Sequence, residues 1–126
     1  MSLNKSPLSP HLQVYRLPLV ALVSISHRAC GVANGIGYAL FIMFLLSIAS
    51  GNEIYNISHT ILTSIVGKIL LTLWIFSLYL HMSNGIRHLF WDLGYGFGGN
   101  SPLISSFVVL AATILMTIIT VLIYLF

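Results

Sequence analysis

Three long apolar stretches separated by two short polar segments make up most of this 126-residue chain. The first is uncharged from Gly31 to Ser50 and has a helix-compatible lead-in from about Leu19. The second runs from about Ile61 to Gly85 and is interrupted by Lys68, while the third, Leu103 to Phe126, carries neither charge nor histidine. A hydrocarbon core about 30 Å thick needs roughly 20 apolar residues in a helix. The pattern therefore predicts an all-α membrane protein, a single membrane domain over residues 1–126, with three transmembrane helices at about 19–50, 61–87 and 103–126. Asn100-Ser101-Pro102 marks the start of the third, with proline near the first helical position. Gly51 to Thr60 (GNEIYNISHT) reads as a polar linker and Leu93 to Pro102 (LGYGFGGNSP) as a glycine-rich turn. The latter has no lysine after it and no strand before it, so it is not a phosphate-binding loop.

Composition sharpens this picture. Charged residues are 6% of the chain, against roughly 25% in soluble domains, and apolar residues 58%. Five cations and two acids (Lys5, Arg16, Arg28, Lys68, Arg87, Glu53 and Asp92) give a net charge of +3 but no basic patch, which argues against a nucleic-acid partner. The single cysteine, Cys30, excludes an internal disulfide, a CxxC pair and a Cys-rich metal site. Prolines occupy the place where a signal peptide would carry its apolar core, so no cleavable signal or transit peptide is expected. Lys5, Arg16 and Arg28 precede or enter the first span, Arg87 ends the second, and the first loop has no Lys or Arg. The positive-inside rule then places the N-terminus and second loop inside, and the first loop and C-terminus outside. Lys68, about seven residues into the second span, dissents unless its stem snorkels outward.

Polar groups inside spans are costly and therefore informative. Ser24 and Arg28 are one helical turn apart, and His27 joins them on the same face near the inner membrane surface. They read either as an interfacial anchor with Arg28 on lipid phosphate, or as a site for an anionic or carbonyl-bearing ligand. On the second span His81, Gly85, His88 and Asp92 form one stripe, with Gly85 leaving room for something flat. The two histidines are about 10.5 Å apart along the axis and cannot share a metal ion. His81 reads as a hydrogen bond to a neighbouring helix or as an axial metal ligand, and His88 as structural. Arg87 and Asp92 read as interfacial partners of other chains or of each other. Because the spans are antiparallel, both polar groups fall in one layer. Gly31 and Gly35 lie between them as a helix-packing pair or as clearance for a planar ring.

These residues resemble the cytochrome b large anchor subunit family of succinate dehydrogenase (respiratory complex II). Ser6-Pro7-Leu8-Ser9-Pro10-His11-Leu12-Gln13-Val14-Tyr15 resembles the family's Arg-Pro-x-Ser-Pro-His-Leu-x-x-Tyr, and Ser24 to Gly31 its Ser-x-x-His-Arg-x-Thr/Ser-Gly. His81 to Asp92 (HMSNGIRHLFWD) resembles its His-x-x-x-Gly-x-Arg-His-x-x-x-Asp. Ser6 stands where the family has Arg, and Cys30 where it has Thr or Ser.

The resemblance implies that His81 is an axial ligand of one haem b, shared with a small hydrophobic anchor subunit. It implies that Ser24 and Arg28 bind ubiquinone. His27, Arg28, Gly31 and Gly85 would line the haem pocket and its propionates, with His88 and Asp92 structural or interfacial. It also implies iron–sulfur and flavoprotein subunits as partners, membrane lipid around the chain, a bacterial or mitochondrial inner membrane, and no succinate oxidation by this chain alone. Alternatives remain. The family includes fumarate reductase anchors running the same chemistry backwards, and His27 with His81 could ligate haem within this chain. A haemless structural anchor gives no reason for His81 to sit above Gly85. A transporter would need polar residues on several spans, and the third has almost none.

Overall fold

The computed structural model describes residues 15–125, which form four α-helices and no strands. They are α1 (Leu19–Ala49), α2 (Asn52–Thr63), α3 (Ile65–Asp92) and α4 (Ser101–Leu125). Three of them, α1, α3 and α4, are long and apolar enough to cross a membrane. Lys5 and the Ser6–Val14 part of the first motif lie outside the described residues.

The segment read as a linker differs from expectation. Gly51, at φ 105°, reverses the chain in a conformation that glycine tolerates best. Residues 52–63 then form a helix that turns Tyr55, Ser58 and Leu62 inward. Ser64, in an extended conformation, separates α2 from α3, and its hydroxyl accepts the Gly67 N–H at 3.1 Å to cap α3. A Cβ on Gly67 would collide with the carbonyl oxygens of Ile61 and Leu62, so the tight junction needs glycine. The second span consequently runs from 65 to 92 rather than from 61 to 87. Lys68 falls in its first turn, exposed, instead of deep in the apolar run. The 93–100 segment is the glycine turn expected, with Gly94, Gly96 and Gly99 all at positive φ.

The packing is inverted relative to a soluble protein. Its buried apolar core is Val23, Leu80 and Val109, one residue from each long helix, while Asn34, Ser47, Ser77, Asn84, Arg87, Ser106, Thr113 and Thr117 are buried too. Large apolar side chains instead cover the outside. Lipid gives apolar groups no reason to hide, so small and polar residues make the helix contacts. Between α1 and α3, the Ser77 hydroxyl donates to Asn34 Oδ1 at 2.9 Å, and Gly37 admits the Trp74 indole, which a Cβ would overlap. Between α3 and α4, Tyr79 and Thr120 hydroxyls meet at 2.7 Å and Arg87 Nη1 donates to Ser106 at 3.0 Å. Thr113 and Thr117 satisfy their hydroxyls on the carbonyls of Val109 and Thr113, one turn back on α4.

Candidate functional site

The antiparallel register of α1 and α3 carries one set of contacts to the end of the bundle where α1 begins. As α1 descends from Gly37 through Asn34 to His27, its partners on α3 advance from Trp74 through Ser77 to His81. His27 lies about 12 Å in from the start of α1 and His81 about 16 Å in from the end of α3, at 1.5 Å per residue. The two imidazoles stack, with centroids 4.2 Å apart and planes 23° from parallel. His88 comes to 5.4 Å from His27 and meets Trp91 edge-on at 5.0 Å. Three rings from two helices thus form one cluster.

The gap at Gly85 faces a flat ring, as its spacing suggested. A Cβ there would stand 4.0 Å from His27 Nε2, so the flat group over Gly85 is the His27 ring itself. Gly31 and Gly35 part company. A Cβ on Gly31 would press on His81 Cε1 at 3.3 Å, whereas one on Gly35 would meet nothing within 4 Å. Clearance for a ring therefore falls to Gly31 alone, and the ring is His81.

His81 Nδ1 lies 3.1 Å from the His27 main-chain carbonyl. A carbonyl only accepts, so Nδ1 donates, and in a neutral ring Nε2 then keeps its lone pair. In metalloproteins generally, a carbonyl accepting from one ring nitrogen in this way orients the other nitrogen toward a metal. His27 Nε2, in turn, is buried without a hydrogen-bond partner among the described residues. Buried polar atoms are rarely left so, and this one calls for a group beyond the described residues. His27 and His81 are in face-to-face contact, with no space between their rings in this arrangement. Among the described residues no three His, Cys, Asp or Glu side chains converge on a metal ion.

Ser24 and Arg28 sit one turn apart at the same end of α1, Ser24 half-buried and Arg28 exposed on the subunit's surface. Asp92 is exposed at the last position of α3. Arg87 does not pair with it. Instead the Arg87 guanidinium turns inward to Ser106 and lies 4.2 Å over the Trp91 ring.

Sequence reasoning passed over Asn34, Ser77, Asn84 and the Ser106-Thr113-Thr117 face of α4, all buried. The signal was available: polar residues recurring at helical spacing inside apolar runs mark the packed face of a membrane helix.

Fold and site together define a multi-pass membrane subunit that keeps a histidine cluster, a surface Ser–Arg pair and a buried arginine toward one end of its helices. The chain belongs to the succinate dehydrogenase/fumarate reductase transmembrane subunit family, whose profile matches residues 2–120. It is 36% identical over 118 residues to the succinate dehydrogenase cytochrome b556 subunit of Paracoccus denitrificans, covering 94% of this chain and 91% of that protein. The corresponding subunit of Rickettsia prowazekii is 35% identical over 114 residues, covering 90% and 89%. The human mitochondrial cytochrome b560 subunit is 36% identical over 116 residues, covering 89% of this chain and 68% of the human one. With such relatives and three spans, this is an inner-membrane protein of the bacterial and mitochondrial type.

Proposed function

We propose that this chain is the large membrane-anchor cytochrome b subunit of a succinate:ubiquinone oxidoreductase, holding one haem b with a second, smaller anchor subunit and forming part of the ubiquinone site. The observation that carries the reading is the His81 Nδ1–carbonyl hydrogen bond beside Gly31. It fixes the tautomer and the ring plane that an axial ligand requires and leaves Nε2 uncommitted. His27 and His81 are in contact, and a second ligand to the haem would come from the other anchor subunit. The orphaned His27 Nε2 and the nearby Arg28 are donors of the kind that would hold propionate carboxylates. Bound haem supplies a one-electron carrier whose potential is set by ligation and burial.

Ubiquinone is the substrate at Ser24 and Arg28. Ser24 donates a hydrogen bond to one quinone carbonyl. Arg28 holds a fixed positive charge against the negative charge that develops as electrons arrive, an effect strengthened where lipid and partner subunits exclude water. Both residues stand at the subunit's surface, so the pocket is completed by neighbouring subunits: the small anchor and the iron–sulfur protein, with the flavoprotein beyond. The N-terminus lies on the inner side, by the positive-inside rule. Two electrons and two protons give ubiquinol, and succinate oxidation itself happens elsewhere in the complex. The fumarate-reducing direction uses the same residues and is set by the quinone's potential.

The test is haem extracted and quantified from the assembled complex. His81→Ala should lower it from about one per complex to near none while the flavoprotein and iron–sulfur subunits stay attached. Undiminished haem in an assembled His81→Ala complex would refute the assignment.

A further inference from the structure

Arg87 carries a permanent charge in the interior of the bundle. Only 5% of its surface is exposed, and its Nε and Nη2 are buried with no hydrogen-bond partner among the described residues. Nη1 donates to Ser106 Oγ at 3.0 Å, and the guanidinium lies 4.2 Å over the Trp91 ring. Neither contact is a counter-charge. The chain has two acids in all, Glu53 and Asp92, and both are exposed, one on α2 and the other at the last position of α3.

The arrangement is costly. Taking an ion out of water is penalised by several kcal/mol even after relaxation, and a desolvated cation–π contact offsets only about 2 kcal/mol of that. An unbranched apolar side chain here would avoid the penalty. Ser106 does not need the arginine, because its own hydroxyl donates to the Pro102 carbonyl at 2.8 Å. Nor is the charge open to cancellation from outside, since the unpaired nitrogens are closed off from the surface by the described residues. An unscreened positive charge is left inside a low-dielectric bundle. Its neighbours give it something to act on. Arg87 stands six residues beyond His81 on α3, about 9 Å along the axis. It immediately precedes His88, whose ring is 5.4 Å from that of His27, and His27 stacks on His81 at 4.2 Å. The Trp91 ring beneath the guanidinium is the one that His88 meets edge-on.

On the reading of His81 as axial ligand, we propose that Arg87 sets the reduction potential of the haem held there: its buried charge, without touching the cofactor, favours the state that carries one more electron. Burial is among the levers by which a protein tunes such a potential, and a fixed charge in a low-dielectric interior acts through space. At an effective dielectric constant of about 20, a unit charge across roughly 10 Å is worth on the order of tenfold in an equilibrium constant. A role confined to holding α3 on α4 would depend on the Ser106 bond, whereas the effect on potential depends on the charge. The two are separable by substitution.

The test is a potentiometric titration of the haem absorption band in the whole purified complex at one pH. Arg87→Met removes the charge and leaves Ser106 bonded to Pro102, while Ser106→Ala removes the Arg87 bond and keeps the charge. At the wild-type midpoint, Arg87→Met should lower the reduced-to-oxidised ratio about tenfold, which is about 59 mV for one electron. Ser106→Ala should stay within about twofold of wild type, because the charge is retained. Should Arg87→Met fail to assemble, Ser106→Asp sets a carboxylate against the same guanidinium and should lower the midpoint likewise. A wild-type midpoint in assembled Arg87→Met, or in Ser106→Asp where it stands in, overturns the proposal. A Ser106→Ala shift as large as that of Arg87→Met also overturns it, by tracing the effect to packing. A wild-type complex without a haem band, or a band that survives His81→Ala, refutes the His81 assignment and this proposal with it, so the two failures are told apart.

Discussion

At the scale of single residues, the proposed site separates into a ligand, its support and a substrate contact, each with its own expected phenotype. Arg28 is exposed, so its truncation removes a charge without opening a cavity. Arg28→Ala should lower the rate of quinone reduction by about a hundredfold, the scale of losing one preorganised charge-stabilising donor. Succinate oxidation by an artificial acceptor should stay unchanged, because that path ends in the peripheral subunits. Unaltered quinone kinetics would remove Arg28 from the site. Gly31 and Gly35, indistinguishable as a small-xxx-small pair, make a second contrast. Gly31→Leu should tilt the His81 ring and shift or abolish the haem absorption, whereas Gly35→Ala adds a Cβ with nothing within 4 Å of it and should leave the band in place. Identical spectra from the two variants would mean that Gly31 does not set the ring.

At the scale of helices, the stability of the bundle rests on a few close approaches rather than on apolar burial. The Ser77–Asn34 hydrogen bond is one of them. Its removal in Ser77→Ala should cost only about 0.6 kcal/mol, the usual size of an interhelical hydrogen bond in a membrane. Gly37→Leu should cost more, about 1–3 kcal/mol, because the α1–α3 contact at Trp74 has no room for a side chain. Thermal inactivation midpoints of the assembled complex rank the two, and the reverse order would contradict the packing described. The three long helices were legible in the sequence because length and hydropathy alone decide them. The short helix α2 was not, because Asn52, Glu53 and Asn56 give it the polarity of a linker, and its inward face becomes visible only against α1 and α3. The site was legible in part. His27, His81 and Gly85 were picked out by spacing and depth. That His27 itself fills the gap over Gly85 depended on the rotation of two helices about their axes, which periodicity does not fix. Of the two readings of Arg87, pairing with Asp92 fails for a related reason: Asp92 is close in sequence, while Ser106 meets Arg87 only through the packing of α4 on α3.

At the scale of the whole molecule, one end carries most of the chemistry and the rest of the surface is apolar. Large aliphatic and aromatic side chains are exposed along α1, α3 and α4, a surface suited to lipid and to other subunits rather than to water. On the proposed function, Ser24, Arg28 and His27 Nε2, the last without a partner among the described residues, would meet groups from other subunits. The incompleteness fits a subunit that contributes one side of each site.

The central claim is that His81, and not His27, carries the iron, and a reduced-minus-oxidised absorption spectrum of the purified complex tests it in two variants. The hydrogen bond that orients His81 goes to the backbone carbonyl of residue 27, which survives replacement of the side chain. His27→Ala should therefore retain a b-type haem band, altered in position or potential by the lost stacking partner, while His81→Ala should have none. A band that persists in His81→Ala and vanishes in His27→Ala would contradict the account.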